Sequence, residues 1–575
     1  MSNLVPPADV AAIAAQIEAA PGLARLRELL GPDSGASPET LGAVLEEAAK
    51  FSAAWLAPLN PVMDHKGCRL EGGKVRTAPG HIEAWRAYVE AGWPGIDQPP
   101  ELGGAGLPLV ALAACTEIFD RGSVAFGMLP TGLRAACRLL AAHADDQIKA
   151  EWLPRLVSGE WVGTICISEP DAGSDAGRIR TLAEPDDQGG WRITGEKMWI
   201  SYGDHDLSQR IGHCLLARTP GAAAGGAGLS LFLVPNLIDG KPNGIAIRRL
   251  EEKLGLHGSP TCAMGFEGAR GWLIGAEGRG LAQLFTMIAP MRLMVSVQGL
   301  TIAAGAADVA LGYAEERRQG GPPDASPVLI VEHPDVQRML ANMASRVEVV
   351  RGLVLAAAVQ ADLARLETDP EAQADAAALA GWLLPIAKTY AAETGFEVAS
   401  EAIQVLGGAG YVKDWPVEQS LRDSRVFAIF EGTSGVQALD LLHRRLRRED
   451  GRGLKAFLKL ARADAALGGE RSGDMAAVID LLAVLDMLER SAAQLAADRR
   501  GDAGAYALLE LGALAATGWA ALRLSRLEPS GVGGRLVAAG RWWLTELKAK
   551  AELKRAEIAL GAARLELFQA LRRPG

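Results

Sequence analysis

The chain of 575 residues carries 59 lysine and arginine residues against 69 acidic residues, a formal net charge of −10, and is 49% hydrophobic and 22% charged. These proportions are typical of globular proteins, so they exclude a disordered or collagen-like chain, and the length allows three or four domains. The negative balance gives no support to a nucleic-acid or anionic-membrane ligand.

The cysteines and the N-terminal segment favour a cytoplasmic protein. The six cysteines include no CxxC pair, which fits a reducing compartment and predicts no metal site. The first twenty residues contain Asp9 and Glu18 and no basic segment before an apolar stretch, so a secretory signal is not expected. The longest weakly charged run, residues 376–387, is too short to cross a bilayer, so no membrane span is expected.

The spacing of apolar residues changes along the chain and predicts an α+β multidomain fold. Residues 1–160 carry charges at three- and four-residue spacing in Ala- and Leu-rich segments, which predicts an N-terminal helical domain. Residues 161–280 contain short apolar runs such as WVGTICIS and LSLFLVP between Gly, Pro and Asp clusters, which predicts a middle β-barrel or sandwich domain. Helical spacing returns in residues 281–450, a predicted helical bundle, and in residues 451–575, a predicted C-terminal helical extension.

Common catalytic signatures do not occur in the chain. No GxGxxG follows a strand inside a βαβ unit, and no Walker loop, HExxH or GxSxG is found. The glycine clusters at residues 102–107 and 406–411 are weak signals, because turns and helix ends need the same glycines. A nicotinamide, nucleotide-hydrolysing or zinc-protease function is therefore not favoured.

The most informative segment is RVFAIFEGTSGVQ, residues 425–437, in which Glu431 ends an apolar run. In the simplest interpretation Glu431 is a loop carboxylate, and Thr433 or Ser434 caps the next helix. In the functional interpretation the neighbouring Phe and Ile side chains desolvate Glu431, which raises its proton affinity and makes it a better base. Spacing alone leaves both interpretations open.

Five segments in chain order resemble motifs of the acyl-CoA dehydrogenase family. They are CISEPDAGSDAG (166–177), GEKMWIS (195–201), YAEERRQG (313–320), EAIQVLGGAGY (401–411) and IFEGTSGVQ (429–437). The order of helical, β and helical regions agrees with the family fold. Nearly the whole chain is similar to a larger bacterial subgroup that has a C-terminal extension and includes 3-methylmercaptopropionyl-CoA dehydrogenases.

The resemblance implies an FAD-dependent enzyme that oxidises an acyl-CoA thioester to trans-2-enoyl-CoA. It implies that Glu431 removes the α-proton while FAD accepts the β-hydride. The residues that it places beside the isoalloxazine ring are Ile167, Ser168, Ser174, Trp199 and Ser201. The residues that it directs to the FAD of a neighbouring subunit are Arg317, Gln319, Gln404, Gly407 and Gly408, and Thr433 and Gln437 complete the FAD set.

The resemblance also implies partners and leaves alternatives. It implies an electron-transfer flavoprotein as electron acceptor and a homodimer or dimer of dimers. Phe430 and Gly320 stand where many relatives have Tyr and Phe, so the subunit contact near Gly320 can differ. The alternatives are an acyl-CoA oxidase, in which oxygen reaches the reduced flavin, and a non-catalytic or nucleic-acid-associated flavoprotein of the same fold.

The acyl group does not follow from the resemblance. Candidates are the thioether-containing 3-methylthiopropanoyl-CoA and short- or medium-chain acyl-CoAs. Members of the family accept different acyl groups, and one methylene group changes binding only modestly.

Overall fold

The computed structural model describes residues 4–32, 34–468 and 475–572. The chain forms two compact units, and the first comprises Met1–Ala49, Leu109–Ile118 and Arg292–Gly575. The second unit comprises Lys50–Pro108 and Phe119–Met291. The predicted boundaries at residues 160, 280 and 450 mark where the sequence pattern changes, and they stay a prediction.

Most of the helices are rich in alanine and leucine, which have high helix propensity. They are α1 (Val10–Glu18), α2 (Leu23–Leu30), α3 (Pro38–Phe51), α4 (Ala57–Lys66), α5 (His81–Glu90), α6 (Leu109–His143), α7 (Asp146–Ser158), α8 (Gly280–Glu316), α9 (Pro334–Leu366), α10 (Pro370–Leu406), α11 (Val417–Ser424), α12 (Ser434–Leu439), α13 (Arg452–Gly468), α14 (Met475–Ala497), α15 (Ala505–Leu524), α16 (Val532–Leu560) and α17 (Ala563–Leu571). Two π-helical segments, Ser52–Leu56 and Asp440–Arg448, continue α3 and α12.

The strands lie in the second unit. They are β1 (Arg69–Glu71), β2 (Lys74–Arg76), β3 (Trp161–Cys166), β4 (Leu182–Pro185), β5 (Trp191–Ser201), β6 (Arg210–Arg218), β7 (Leu229–Pro235), β8 (Leu237–Ile238), β9 (Lys241–Pro242), β10 (Ile245–Leu250) and β11 (Thr261–Ile274). The hairpin of β1 and β2 lies in the segment that was predicted to form the N-terminal helical domain.

Strand β7 closes the main sheet of the second unit. The order of the other strands is β10-β11-β5-β4-β6-β3, and β7 pairs with both β11 and β6. Strands β11, β5, β4, β6 and β7 therefore form a closed ring of pairings, which is the topology of a small barrel. The core of this unit includes Ile193, Leu215, Phe232 and Phe266. The predicted α+β multidomain class with a middle β domain is confirmed.

The first unit contains a close crossing of two long helices. A Cβ atom on Gly299 of α8 would lie 2.3 Å from the carbonyl oxygen of Ala391 of α10. A Cβ atom on Gly395 of α10 would lie 2.8 Å from the carbonyl oxygen of Gly299. Because neither glycine has a Cβ, the two backbones can approach to this distance. Lys388 lies on α10 about one helical turn from this crossing.

The C-terminal extension packs on the rest of the first unit. Helices α15 and α16 contact each other, and both contact α9. Two stretches, α8 and residues 501–524, have the length and hydropathy of a membrane span, but 89% of each apolar window is buried inside the protein. Burial of this kind is typical of core helices, which pass the same test of length and composition.

Candidate active site

The loop that carries Glu431 has an unusual backbone. Glu431 has a φ of 52° and Gly432 a φ of 88°, so both residues adopt the left-handed region. This region is uncommon for a residue other than glycine and persists only where surrounding contacts hold it. Strained residues of this kind concentrate at functional sites.

Two buried side chains hold the carbonyl groups of this loop. Gln437 is 0% exposed, and its Nε2 donates to the carbonyl oxygens of Glu431 at 3.0 Å and Gly432 at 3.3 Å. Lys388 of α10 donates from Nζ to the Gly432 carbonyl oxygen at 2.7 Å. Thr433 caps α12, because its Oγ1 accepts from the N–H of Val436 at 3.3 Å. The helix start and two side chains therefore determine where Glu431 lies.

The electrostatics around Glu431 set two effects against each other. Burial raises the pKa of Glu431, while the charges of Lys388 and Arg292 oppose that rise. Arg292 also pairs with Asp440 at 2.7 Å, so part of its charge is compensated. The net result is a half-buried carboxyl group with higher proton affinity than a free glutamate, which is what a general base requires.

The backbone N–H of Glu431 donates no hydrogen bond within the described part of the chain, so it can bind a ligand. A free N–H in a fixed turn can donate to an oxygen atom on which negative charge develops. The loop therefore offers a base and a hydrogen-bond donor on the same residue.

In the second unit a β-bulge turns Trp199 outward. Strand β5 pairs with β11 through Lys197↔Met264 and Ile200↔Cys262, so Met198 and Trp199 lie opposite a single residue. Trp199 has a φ of 62° and is 57% exposed. Bulges re-aim side chains in this way, and here the bulge presents an aromatic ring at the surface of the unit.

A buried ion pair joins this bulge to the segment that follows β3. The N–H of Met198 donates to the carbonyl of Ser168 at 2.9 Å. Lys197, which is buried, donates from Nζ to the carbonyl of Ile167 at 3.1 Å and to Glu169 at 2.8 Å. The structure thus brings Ile167, Ser168 and Trp199 together. Ser201 ends β5 two residues after Trp199, and Ser174 lies on the exposed turn after the pair.

The remaining predicted residues lie on the surface of the first unit. Arg317 and Gln319 are exposed after the end of α8, where the Gln319 N–H donates to the carbonyl of Val328 at 2.9 Å. Gln404, Gly407 and Gly408 are exposed at the end of α10. Among the hydrogen bonds of residues 4–32, 34–468 and 475–572, none links either group to the Glu431 loop. Their predicted contacts with FAD stay predictions.

Four charged residues of these sites were not among the predicted site residues, although two of them lie inside the quoted motifs. Lys388 and Arg292 face Glu431, and Lys197 and Glu169 hold the Trp199 bulge. Lys388 follows a largely apolar stretch of sequence, which is the available signal, because a lysine is almost never buried without a partner. In the described residues, no group of three or more His, Cys, Asp or Glu side chains could hold a metal ion.

Comparison with known proteins identifies the family. Residues 37–160, 164–269 and 278–446 match the N-terminal, middle and C-terminal domains of acyl-CoA dehydrogenases. The chain is 40% identical over 495 residues to the 3-methylmercaptopropionyl-CoA dehydrogenase of Ruegeria pomeroyi, covering 83% of this chain and 84% of that protein.

Two further proteins agree with this match. The broad-specificity linear acyl-CoA dehydrogenase FadE5 of Mycobacterium tuberculosis is 34% identical over 385 residues, covering 64% of this chain and 62% of that protein. The structure of Caenorhabditis elegans ACDH-11 in complex with C11-CoA has the same fold, with a TM-score of 0.75 and 22% identity over 92% of this chain and 90% of that one. The chain therefore belongs to the acyl-CoA dehydrogenase family and is an oxidoreductase that acts on acyl-CoA thioesters.

Proposed function

We propose that this chain binds FAD and that Glu431 removes the α-proton of an acyl-CoA thioester as the thioester is oxidised to a trans-2-enoyl-CoA. The observation that carries the proposal is the conformation of Glu431: a half-buried carboxyl group with a raised pKa, on a left-handed turn. Membership of the family supports the reaction class, and the conformation of the turn supports Glu431 as the base.

The α-proton of a thioester is far less acidic than the carboxyl group of a free glutamate, whose ordinary pKa is 4.5. Burial reduces the difference between the two pKa values by raising the pKa of Glu431. The backbone N–H of Glu431 reduces the difference further by lowering the pKa of the α-proton, because a hydrogen bond to the thioester oxygen stabilises the developing enolate. Glu431 then holds the proton while the product leaves.

The second unit has groups that fit a flavin ring. The indole of Trp199 offers an exposed apolar face, and the segment at Ile167 and Ser168 is tied to the strand that carries it. The hydroxyls of Ser174 and Ser201 suit the polar edge of the ring. When bound, FAD supplies the acceptor for the hydride that leaves the β-carbon. The proposed contacts of Arg317, Gln319, Gln404, Gly407, Gly408, Thr433 and Gln437 with FAD rest on the resemblance.

The test is Glu431→Gln, which removes the base and retains the shape of the side chain. We expect the purified variant to keep the yellow flavin spectrum and to lose acyl-CoA-dependent bleaching under anaerobic conditions. Glu371→Gln, an exposed glutamate at the start of α10, is the matched control and should bleach normally. Bleaching of Glu431→Gln at the wild-type rate would show that Glu431 is not the base.

We further propose an electron-transfer flavoprotein as electron acceptor and a dimer as the active form. Reduction of that acceptor with little oxygen uptake is the expected result, whereas rapid oxygen uptake would identify an oxidase. The relatives act on different acyl groups, so the acyl group is best found by anaerobic bleaching with a panel that includes 3-methylthiopropanoyl-CoA, butyryl-CoA and longer linear acyl-CoAs. Sedimentation recorded at flavin wavelengths would show whether FAD is retained only by dimers.

A further inference from the structure

The Glu431 loop rests on a lysine that is completely removed from water. Lys388 is 0% exposed and lies on α10 directly after the apolar run of residues 382–387. An ammonium group in such a place costs several kcal/mol unless other groups compensate for its lost hydration. Because Lys388 is buried despite this desolvation penalty, the groups that its ammonium faces indicate its function.

The ammonium of Lys388 faces three charged groups and one carbonyl. The charged groups are Glu431 and Glu393, which favour its protonated form, and Arg292, which disfavours it. The hydrogen bond of 2.7 Å goes to the carbonyl of Gly432, the residue next to Glu431. Burial lowers the pKa of Lys388 to about 8, which leaves it mainly protonated at neutral pH.

The other nearby cation, Arg292, has its positive charge partly compensated by a neighbour. Its guanidinium is bound to Asp440 at 2.7 Å, and it is also influenced by Arg445 and Arg444. Glu393 accepts a hydrogen bond from the hydroxyl of Ser434 at 2.8 Å and lies 3.9 Å from Arg425. Lys388 instead donates to a neutral carbonyl, so its positive charge remains available to Glu431.

We propose that Lys388 is the positioning residue of the catalytic base: its ammonium holds the Gly432 carbonyl, and with it the left-handed Glu431–Gly432 turn, and keeps the desolvated Glu431 carboxylate ionised. This inference rests on the proposed role of Glu431. Without a nearby positive charge, a carboxyl group in this site would bind a proton from solvent and could not accept one from substrate. With it, the base stays deprotonated until the substrate arrives.

The test separates the charge of Lys388 from its hydrogen bond. Lys388→Met removes both, Lys388→Gln keeps an N–H donor without the charge, and Lys388→Arg keeps a charge. The readout is the titration midpoint of the Glu431 carboxyl, measured by infrared difference spectroscopy against Glu431→Gln. We expect Lys388→Met and Lys388→Gln to raise this midpoint by on the order of 1 pH unit or more, and Lys388→Arg to leave it close to wild type.

In the pH profile of the anaerobic bleaching rate, the half-maximal point on the acid side should move to higher pH by the same amount as the titration midpoint. Lys455→Met, at an exposed lysine that pairs with Asp450, is the matched control and should move neither. An unchanged midpoint in both Lys388→Met and Lys388→Gln would overturn the proposal. A shift in Lys388→Arg as large as that in the uncharged variants would overturn it too. Should one uncharged variant fail to fold, the other decides.

The carboxyl titration does not require turnover, so it distinguishes two failures. If Glu431→Gln bleaches normally while Lys388→Met shifts the Glu431 midpoint, the proposed base is wrong and the electrostatic coupling is right. If Glu431→Gln is inactive and Lys388→Met shifts nothing, the base is right and Lys388 has only a structural role.

Discussion

Lys197 Nζ lies 2.8 Å from Glu169 Oε1, and this ion pair joins the strand that carries Trp199 to the turn that carries Ile167 and Ser168. The Lys197 side chain is 0% exposed and that of Glu169 is 8% exposed. Burial alone would raise the pKa of Glu169, but the charge and hydrogen bond of Lys197 and the hydroxyl of Thr181 hold it below its usual value. The arrangement of Trp199, Ile167 and Ser168 within the second unit therefore depends on one buried ion pair.

Lys197→Met should destabilise the second unit, because it leaves the Glu169 carboxylate buried and unpaired. Removing one partner of a buried pair costs about 3–5 kcal/mol of unfolding free energy. Urea unfolding followed by tryptophan fluorescence measures the loss, and FAD content measures the effect on the site. The double variant Lys197→Met/Glu169→Gln should recover part of the stability, since no charge then remains buried.

An exposed ion pair provides the control for this experiment. Arg178 and Asp175 are 2.8 Å apart with side chains 73% and 65% exposed. Arg178→Ala should cost less than about 1 kcal/mol, because solvent screens such pairs. Equal losses in Arg178→Ala and Lys197→Met would contradict the assignment of the Lys197 pair as structural.

The raised pKa of Glu431 predicts a pH dependence of bleaching. A base acts in its deprotonated form, so the rate should fall as pH decreases through the pKa of Glu431. Because burial raises that pKa above the usual 4.5, the half-maximal rate should lie above pH 4.5. Single-turnover bleaching at saturating acyl-CoA, recorded across the pH range in which the protein is folded, measures it. A rate that stays flat down to pH 4.5 would be incompatible with a desolvated base.

Three buried histidines predict a loss of stability in mild acid. Burial lowers the pKa values of His81, His205 and His213 to about 3, whereas the ordinary value is 6.5. The unfolded chain therefore takes up protons below pH 6.5 that the folded chain binds only near pH 3. Their stabilising contribution is complete above pH 6.5 and declines as the pH falls from 6.5 towards 3. At about pH 5 the loss should be about 2 kcal/mol per histidine.

His81→Phe tests this dependence. Both ring nitrogens of His81 are buried without a hydrogen-bond partner among the described residues, and the ring packs against Phe126 and Tyr202. A phenyl ring fits such surroundings and cannot be protonated. Between neutral pH and about pH 5, the unfolding free energy of the variant should therefore fall by about 2 kcal/mol less than that of wild type. His443→Gln, at a partly exposed histidine, is the control, and a slope for His81→Phe equal to that of wild type would refute the interpretation.

Gly299 predicts a packing effect at the crossing of α8 and α10. In Gly299→Ala the new methyl group would meet the Ala391 carbonyl at 2.3 Å, so the helices must separate at a cost of about 1–3 kcal/mol. Gly312→Ala in the same helix has open space around its Cβ and should be neutral or stabilise by up to about 1 kcal/mol. Thermal unfolding of the two variants, side by side, gives the comparison. A Gly299→Ala variant as stable as Gly312→Ala would show that the crossing relaxes freely.

Local patterns in the sequence predicted the larger elements of the fold. The runs WVGTICIS, WRITGEKMWIS and LSLFLVP contain strands β3, β5 and β7, because strand spacing and turn residues are visible within a few positions. The long helices α8, α9 and α10 are visible for the same reason. The hairpin β1–β2 was missed, since each of its strands has three residues and too few positions to show an alternation.

The sequence by itself determined the α+β class, the motif that contains Glu431 and, through resemblance, the acyl-CoA dehydrogenase family. Only the tertiary structure decided what surrounds the candidate base. Lys388 reaches the Gly432 carbonyl from 44 residues away, and Arg292 comes from a different helix. A lysine in an apolar helix and an arginine near the start of another give no sign of a common partner. Their convergence on Glu431 depends on how the helices pack, and packing brings together residues whose separation along the chain carries no periodic signal.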